Sequence, residues 1–193
     1  MLSEPRLGVA CALLLLPNIL REELRVMLTI KFTKRRDGSV ISRFERADGS
    51  ATWQRKNAPQ ASFFALHDLT HYALETTLRY RRGFYGLVAE GWDLSDFGTP
   101  WPRGPLPADA EPAELIAGFL DGERATGERC SAADFNAKIA LYYSSEGLAT
   151  PATLTQEKLD QIRKLARELR ARWAAVPPGE SLELTFDPKP GNP

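Results

Sequence analysis

Alternating apolar and polar residues mark three short segments that follow one another after Met27. The segments LTIKFT, VISRFER and ATWQRK are separated by RRDGS and ADGS, and each separator contains an Asp-Gly pair typical of a tight hairpin turn. The pattern therefore predicts a three-stranded antiparallel meander with one face on the core. The residues predicted to face the core are Leu28, Ile30, Phe32, Phe44 and Trp53.

Helical spacing of apolar residues dominates the chain after the meander. It predicts a helix over residues 63–81 with Ser62 as its N-cap, and a short helix or turn from Phe84 to Ala89. Three further helices are predicted over residues 112–127, 131–147 and 155–176. The segment SLELTF then alternates like the first strand, which predicts its return to the sheet. We therefore predict an α+β fold, in which a small antiparallel sheet, made of the meander and the C-terminal strand, is packed by about four helices.

The first 26 residues differ from the rest of the chain, because residues 7–16 form an apolar run. The run is shorter than the roughly 20 apolar residues that a transmembrane helix needs. It also lacks the basic start and the small-residue exit of a signal peptide. We predict that residues 1–26 are an extension outside the core fold or a short amphipathic helix packed on it, and that residues 27–193 form a single α+β domain.

The charge balance limits the classes of partner. The chain has 25 basic and 25 acidic residues, so no net positive field attracts nucleic acid or an anionic membrane, and neither is an expected partner. Cys11 and Cys130 are far apart and too few to form a disulfide framework, which favours a cytoplasmic location.

Residues 95–112 are rich in Gly and Pro and predict a long loop, either a lid or a surface connection.

The helix predicted over residues 63–81 carries both histidines of the protein, His67 and His71, one turn apart. Two imidazoles at this spacing can share a metal ion. Glu75 lies about 12 Å of helical rise beyond His67, so it is expected either to bind metal beside His71 or to orient one imidazole. Glu90 or Asp93 from the following turn could supply an oxygen ligand. Two nitrogens with one or two carboxylates favour Zn²⁺, Fe²⁺ or Mn²⁺, with zinc the first choice.

Two resemblances involve the same residues. The segments HDLTHYALE and GFYGLVAEG resemble an uncharacterised bacterial family with the pattern H-D-L-x-H-x-x-x-E followed by G-F-x-G-x-x-A-x-G. The helix is also similar to that of zinc metallopeptidases with H-E-x-x-H and a downstream Glu ligand, which would make His67, His71 and Glu90 the metal ligands. Asp68 stands where those enzymes have the Glu that activates water, and its side chain is one methylene shorter.

The sequence thus predicts a metal-dependent hydrolase acting on a small-molecule or peptide substrate, with His67, His71, Glu75 and Glu90 as candidate ligands and Asp68 as the base or an orienting group. The alternative is a non-enzymatic interaction or structural domain. In that case His67, His71, Asp68 and Glu75 would form a buried hydrogen-bond network that ties the helix to the meander. The sequence indicates neither the substrate nor the oligomeric state.

Overall fold

The computed structural model describes residues 27–98 and 100–188. Four strands, β1 (Leu28–Lys34), β2 (Val40–Arg46), β3 (Ala51–Lys56) and β4 (Ser181–Phe186), form one antiparallel sheet in the order β3-β2-β1-β4. The predicted meander is confirmed, because β2 pairs antiparallel with both β1 and β3. The return of the C-terminal strand is also confirmed, because β4 pairs with β1 over nearly its whole length. The predictions for residues 1–26 lie outside the described part of the chain.

Helices pack against this sheet and against one another, which confirms the predicted α+β class. They are α1 (Ala58–Leu78), α2 (Phe84–Ala89), α3 (Ala113–Thr126), α4 (Ala132–Ser145) and α5 (Gln156–Ala175), with a short 3₁₀ helix at Leu94–Phe97. The long helix α1 packs against β2 and β3 on one side and against α3 and α5 on the other. Among the described helices, none combines the length and the apolar composition needed to cross a bilayer.

The core face of the sheet was predicted correctly for β1 and β2 and wrongly for β3. Leu28, Ile30, Phe32 and Phe44 are fully buried, whereas Trp53 is 61% exposed. The register explains the error, because Phe44 pairs with Thr52 and Arg43 pairs with Trp53. Residues paired across an antiparallel ladder share a face, so Thr52 lies on the core side and the Trp53 indole on the outer side.

Helix α1 begins several residues earlier than predicted. Its N-cap is Asn57 and not Ser62, and Pro59 occupies the first turn. Proline is tolerated there because the first backbone N–H groups of a helix have no intrahelical partner. The Ala58-Pro59 pair therefore ends the meander and opens the helix at the same point. At its other end, the helix stops at Leu78, and Arg79 adopts a left-handed conformation with φ of 57°.

The Pro-rich segment after α2 is tied to the turn that follows α1. Glu111 accepts hydrogen bonds from the backbone N–H groups of Arg81 and Arg82, and Asp109 pairs with the Arg82 guanidinium. Arg103 donates to the carbonyl of Gly91 and packs over the Trp92 ring. These contacts bring the start of α3 next to the histidine-bearing face of α1.

Candidate metal site

The two histidines of α1 turn their Nε2 atoms towards each other. One helical turn separates His67 from His71, and their Nε2 atoms lie 3.2 Å apart. Their rings meet edge to face with centroids 4.7 Å apart. The His71 side chain is 2% exposed and the His67 side chain 15%, so both imidazoles are largely removed from water. The predicted pairing of the two histidines is therefore present in the fold.

The carboxylate of Glu114 completes a group of three potential ligands. Glu114 lies in the first turn of α3, and its oxygens are 3.0 Å from Nε2 of His71 and 3.5 Å from Nε2 of His67. Among the described residues, these three form a group whose ligand atoms lie within 4.8 Å of one another and could hold a metal ion. The Glu114 side chain is 76% exposed, so the group opens to solvent on that side.

A second carboxylate lies behind each imidazole. Nδ1 of His67 is 2.7 Å from Asp121 on α3, and Nδ1 of His71 is 3.2 Å from Glu75, one turn along α1. Ionised carboxylates only accept hydrogen bonds, so we assign a proton to Nδ1 of each imidazole. Loss of the Nε2 protons of the charged imidazoles would leave both Nε2 lone pairs pointing at the space beside Glu114. Carboxylates placed in this way orient imidazole ligands in metal sites and raise their basicity.

The acidic surroundings give the imidazoles a strong affinity for cations. Burial by itself would lower the pKa of His67, but the contacts with Asp121 and Glu114 outweigh it and raise the pKa to about 10. Burial also opposes the charged form of His71, and the contacts with Glu114 and Glu75 raise its pKa to about 9. The hydrogen bonds from both imidazoles lower the pKa of Glu114. A proton or a metal ion in this group is therefore electrostatically favoured.

Two glycines shape the turn that holds Glu75. Its side chain is completely buried and accepts a hydrogen bond from the backbone N–H of Tyr85 at 3.0 Å. A Cβ atom at Gly83 would lie 2.6 Å from the Glu75 carboxylate, and a Cβ atom at Gly86 would collide with the carbonyl of Arg81. The segment RRGFYG can wrap around the carboxylate because these two positions have no side chain. Burial raises the pKa of Glu75.

Asp68 belongs to the sheet side of α1. Its carboxylate accepts a hydrogen bond from the Ser42 hydroxyl on β2 at 3.2 Å, and it is not a member of the three-residue group. Burial raises the pKa of Asp68 to about 6, although both imidazoles partly counteract the shift. Its assignment as a catalytic base stays a prediction, and the hydrogen bond that its carboxylate accepts comes from the sheet.

The predicted oxygen ligands other than Glu75 contact other parts of the fold. The Glu90 carboxylate pairs with Nε of Arg82 at 3.0 Å, and Asp93 pairs with the Arg46 guanidinium at 3.1 Å. Glu75 contacts Nδ1 of His71, on the side of the ring away from Glu114, and this was one of the two roles predicted for it. The assignment of Glu75 and Glu90 as metal ligands stays a prediction.

The sequence analysis missed Glu114 and Asp121. They are seven residues apart on α3, which places both carboxylates on one helix face. From that face, both carboxylates can reach the imidazole pair of α1. The sequence signal was therefore an acidic stripe on an otherwise apolar face. Only the packing of α3 against α1 identifies that face as the partner of the histidines.

Comparison of the chain with protein-family models, with curated proteins and with solved structures gave no match. The resemblance to the H-D-L-x-H family and the likeness to zinc metallopeptidases therefore stay predictions.

Proposed function

We propose that the protein is a metal-dependent hydrolase. It would bind one divalent transition metal ion through His67, His71 and Glu114 and use that ion in hydrolysis. The observation that carries the proposal is the convergence of two imidazole Nε2 atoms and one carboxylate on the same space, 3.0 to 3.5 Å from one another. Zinc is the first choice, because two nitrogens and one carboxylate form a ligand set that Zn²⁺ commonly uses.

The spacing of the three atoms suits an ion. Tetrahedral bonds of about 2.0–2.1 Å place neighbouring ligand atoms about 3.3 Å apart. The two imidazoles and Glu114 are spaced by 3.2, 3.5 and 3.0 Å, so an ion can enter with small side-chain movements. Without an ion, the Nε2 protons of the charged imidazoles supply the positive charge beside Glu114, and a metal ion would take their place.

Three protein ligands leave at least one coordination position for water. Such positions are typical of catalytic metal sites, whereas structural zinc sites are closed by four protein ligands. The exposed side chain of Glu114 places the open side towards solvent, where a substrate can approach. A zinc ion held by His67, His71 and Glu114 would supply Lewis-acid chemistry that activates water for hydrolysis. The buried carboxylates Glu75 and Asp121 would hold the two imidazoles in the ligating orientation.

A second candidate is the structural domain in which the same residues form a hydrogen-bond network. It is favoured by the finding that, within the described chain, no buried side-chain nitrogen or oxygen lacks a hydrogen-bond partner. A proton held between His71 and Glu114 could close the network without an ion. This candidate requires no metal and predicts that the site serves only to join α1 to α3.

The two candidates are separated by the metal content of the purified protein. Full-length protein from metal-replete growth should contain close to one transition metal ion per chain by elemental spectrometry. His67→Ala and Glu114→Gln should lose the ion, whereas Glu90→Gln, which changes a carboxylate paired with Arg82, should keep it. Wild-type protein without metal would contradict the proposal and leave the hydrogen-bond network.

Hydrolase activity needs its own measurement. Zinc-loaded protein should hydrolyse at least one compound in a panel of carboxylic esters, phosphate esters and peptide amides, and Glu114→Gln should abolish the turnover. A metal-loaded protein that is inactive against all three classes would remove the hydrolase assignment and keep the metal site.

We also propose a cytoplasmic location, supported by the absence of any cysteine spacing that suggests a disulfide framework.

A further inference from the structure

A cavity with an unusual concentration of arginines lies beside the candidate metal site. It has a volume of about 240 Å³ and is bounded by α1, α3 and α5. Thr70 and Leu120 contribute to its wall. Five arginines line the cavity, and they are Arg124, Arg129, Arg163, Arg167 and Arg170. The protein as a whole has equal numbers of basic and acidic residues, so this concentration is a local feature.

Two of the five guanidinium groups are neutralised by carboxylates. Arg163 is buried and forms two hydrogen bonds to Glu123, at 3.0 and 2.6 Å. Arg124 donates to Asp121 at 3.2 Å. Because Glu123 also lines the cavity, its pair with Arg163 forms a fixed part of the wall.

Arg129 interacts electrostatically with Asp160, whereas no carboxylate among the described residues is hydrogen-bonded to Arg167 or Arg170. Neither forms a hydrogen bond or an ion pair with any residue in the described part of the chain. Partial burial of Arg170, and its closeness to Arg124 and Arg167, lower the pKa of its guanidinium, and the nearby Asp121 carboxylate counteracts only part of this shift. Arg163, Arg167 and Arg170 also follow one another at helical spacing on α5, where like charges repel. The cavity therefore carries more positive charge than the nearby carboxylates of the described fold neutralise.

We propose that this cavity binds a small anion with a phosphoryl group, either inorganic phosphate or a small phosphate monoester, through Arg167 and Arg170. Guanidinium groups present planar pairs of donors that match two oxygens of a phosphate, and all five basic groups of the cavity are arginine. The volume is below the range of about 300–1,000 Å³ typical of drug-sized ligands, which favours a ligand of few atoms.

The anion site is distinct from the metal group, although the two are linked. Asp121 contacts His67 through one oxygen and Arg124 through the other. The anion proposal stands without a metal ion, because Arg167 and Arg170 lie on α5, which contributes no member to the three-residue metal group. Binding of phosphate at the metal and binding in the cavity can therefore be separated by variants of different residues.

The test is isothermal titration of the full chain with inorganic phosphate, and in parallel with phenyl phosphate, at constant ionic strength. Wild-type protein should saturate with one anion per chain. Arg167→Gln/Arg170→Gln should weaken the binding at least tenfold. If this double variant folds poorly, the single variant Arg167→Gln, at an exposed position, replaces it and should also weaken the binding measurably. Arg172→Gln removes the same charge from the exposed face of α5 outside the cavity and should change the affinity less than twofold.

Glu114→Gln separates this proposal from the metal proposal. Phosphate bound in the cavity should be retained within twofold in Glu114→Gln, whereas phosphate bound to a metal ion should be lost there and be insensitive to the arginine variants. Unchanged affinity in Arg167→Gln/Arg170→Gln would overturn the proposal. So would an equal signal from chloride, tighter binding of succinate than of phosphate, or tighter binding of a single-stranded oligonucleotide.

Discussion

Gly83→Ala tests how the turn after α1 controls the metal group. The φ angle of Gly83 is −72°, which alanine adopts without strain, so any effect must come from the added methyl group. That Cβ atom would lie 2.6 Å from both Cδ and Oε2 of Glu75. We expect the variant to fold less stably and to bind metal more weakly, because the carboxylate behind His71 has to move.

The size of the effect follows from how tightly Glu75 is held. Its side chain is completely buried and is fixed by the backbone N–H of Tyr85 and by Nδ1 of His71, so it cannot swing into solvent. Overpacking of a buried site costs about 1–3 kcal/mol, and displacement of a ligand-orienting carboxylate typically weakens metal affinity about 10–100-fold. We therefore expect Gly83→Ala to lose about 1–3 kcal/mol of the free energy of unfolding.

Urea denaturation of the metal-free protein measures this free energy. Gly122→Ala is the matched control, because a Cβ atom at Gly122 meets nothing within 4 Å and the residue lies inside α3. That variant should be more stable than the wild type by up to about 1 kcal/mol, since alanine favours helix. In a double-mutant cycle, Glu75→Ala should remove most of the cost of Gly83→Ala, because the two side chains would no longer collide.

Unfolding of Gly83→Ala at the same urea concentration as the wild type would contradict this prediction. The prediction would also be refuted if the cost of Gly83→Ala were unchanged in the Glu75→Ala background. Either result would mean that the Glu75 carboxylate is not confined by the turn.

Three further predictions concern protonation and packing. Zinc binding at pH 7.5 should release more than one proton per ion, because the pKa values of His67 and His71 are raised to about 10 and about 9. Calorimetry in buffers of different ionisation enthalpy measures the number of protons released. Zinc binding without proton release would contradict the raised pKa values. In metal-free protein, the stabilisation by the charged imidazoles should be fully present below pH 6.5 and be lost as the pH rises through about 9 to 10. Urea midpoints measured between pH 6 and pH 10 should therefore fall more steeply in the wild type than in His67→Ala, and parallel curves would contradict the assigned shifts. Trp53→Ala should change the free energy of unfolding by less than about 0.5 kcal/mol, whereas Phe44→Ala should lower it by about 3–5 kcal/mol. Denaturation curves that show the same loss of unfolding free energy for both variants would place Trp53 in the core.

Local patterns were sufficient to predict most of the fold. The hairpin turns, the helix that begins after Ser131 and the alternation of SLELTF depend on residues close together in sequence, and each is present in the structure. The error at Trp53 arose because the alternation of a short strand does not fix its phase relative to its neighbour. The pairing of Phe44 with Thr52 sets that phase, and it depends on the length of the turn between β2 and β3.

The candidate site could be predicted only in part. His67 and His71 share one helix, so their pairing follows from sequence spacing. Glu114 reaches them through the packing of α3 against α1 and through the contacts of Glu111 with the turn after α1. Such long-range placement leaves no periodic signal in the sequence. Glu90, which was predicted from its place downstream of His71, pairs with Arg82, and its assignment as a ligand stays a prediction.

Anomalous diffraction from crystals of zinc-loaded protein, recorded on both sides of the zinc absorption edge, tests the central claim most directly. A zinc ion held by these three side chains predicts one strong peak, about 2.0–2.1 Å from Nε2 of His67, from Nε2 of His71 and from a carboxylate oxygen of Glu114. Crystals without a peak among these three residues, with His71 Nε2 still hydrogen-bonded to Glu114, would contradict it.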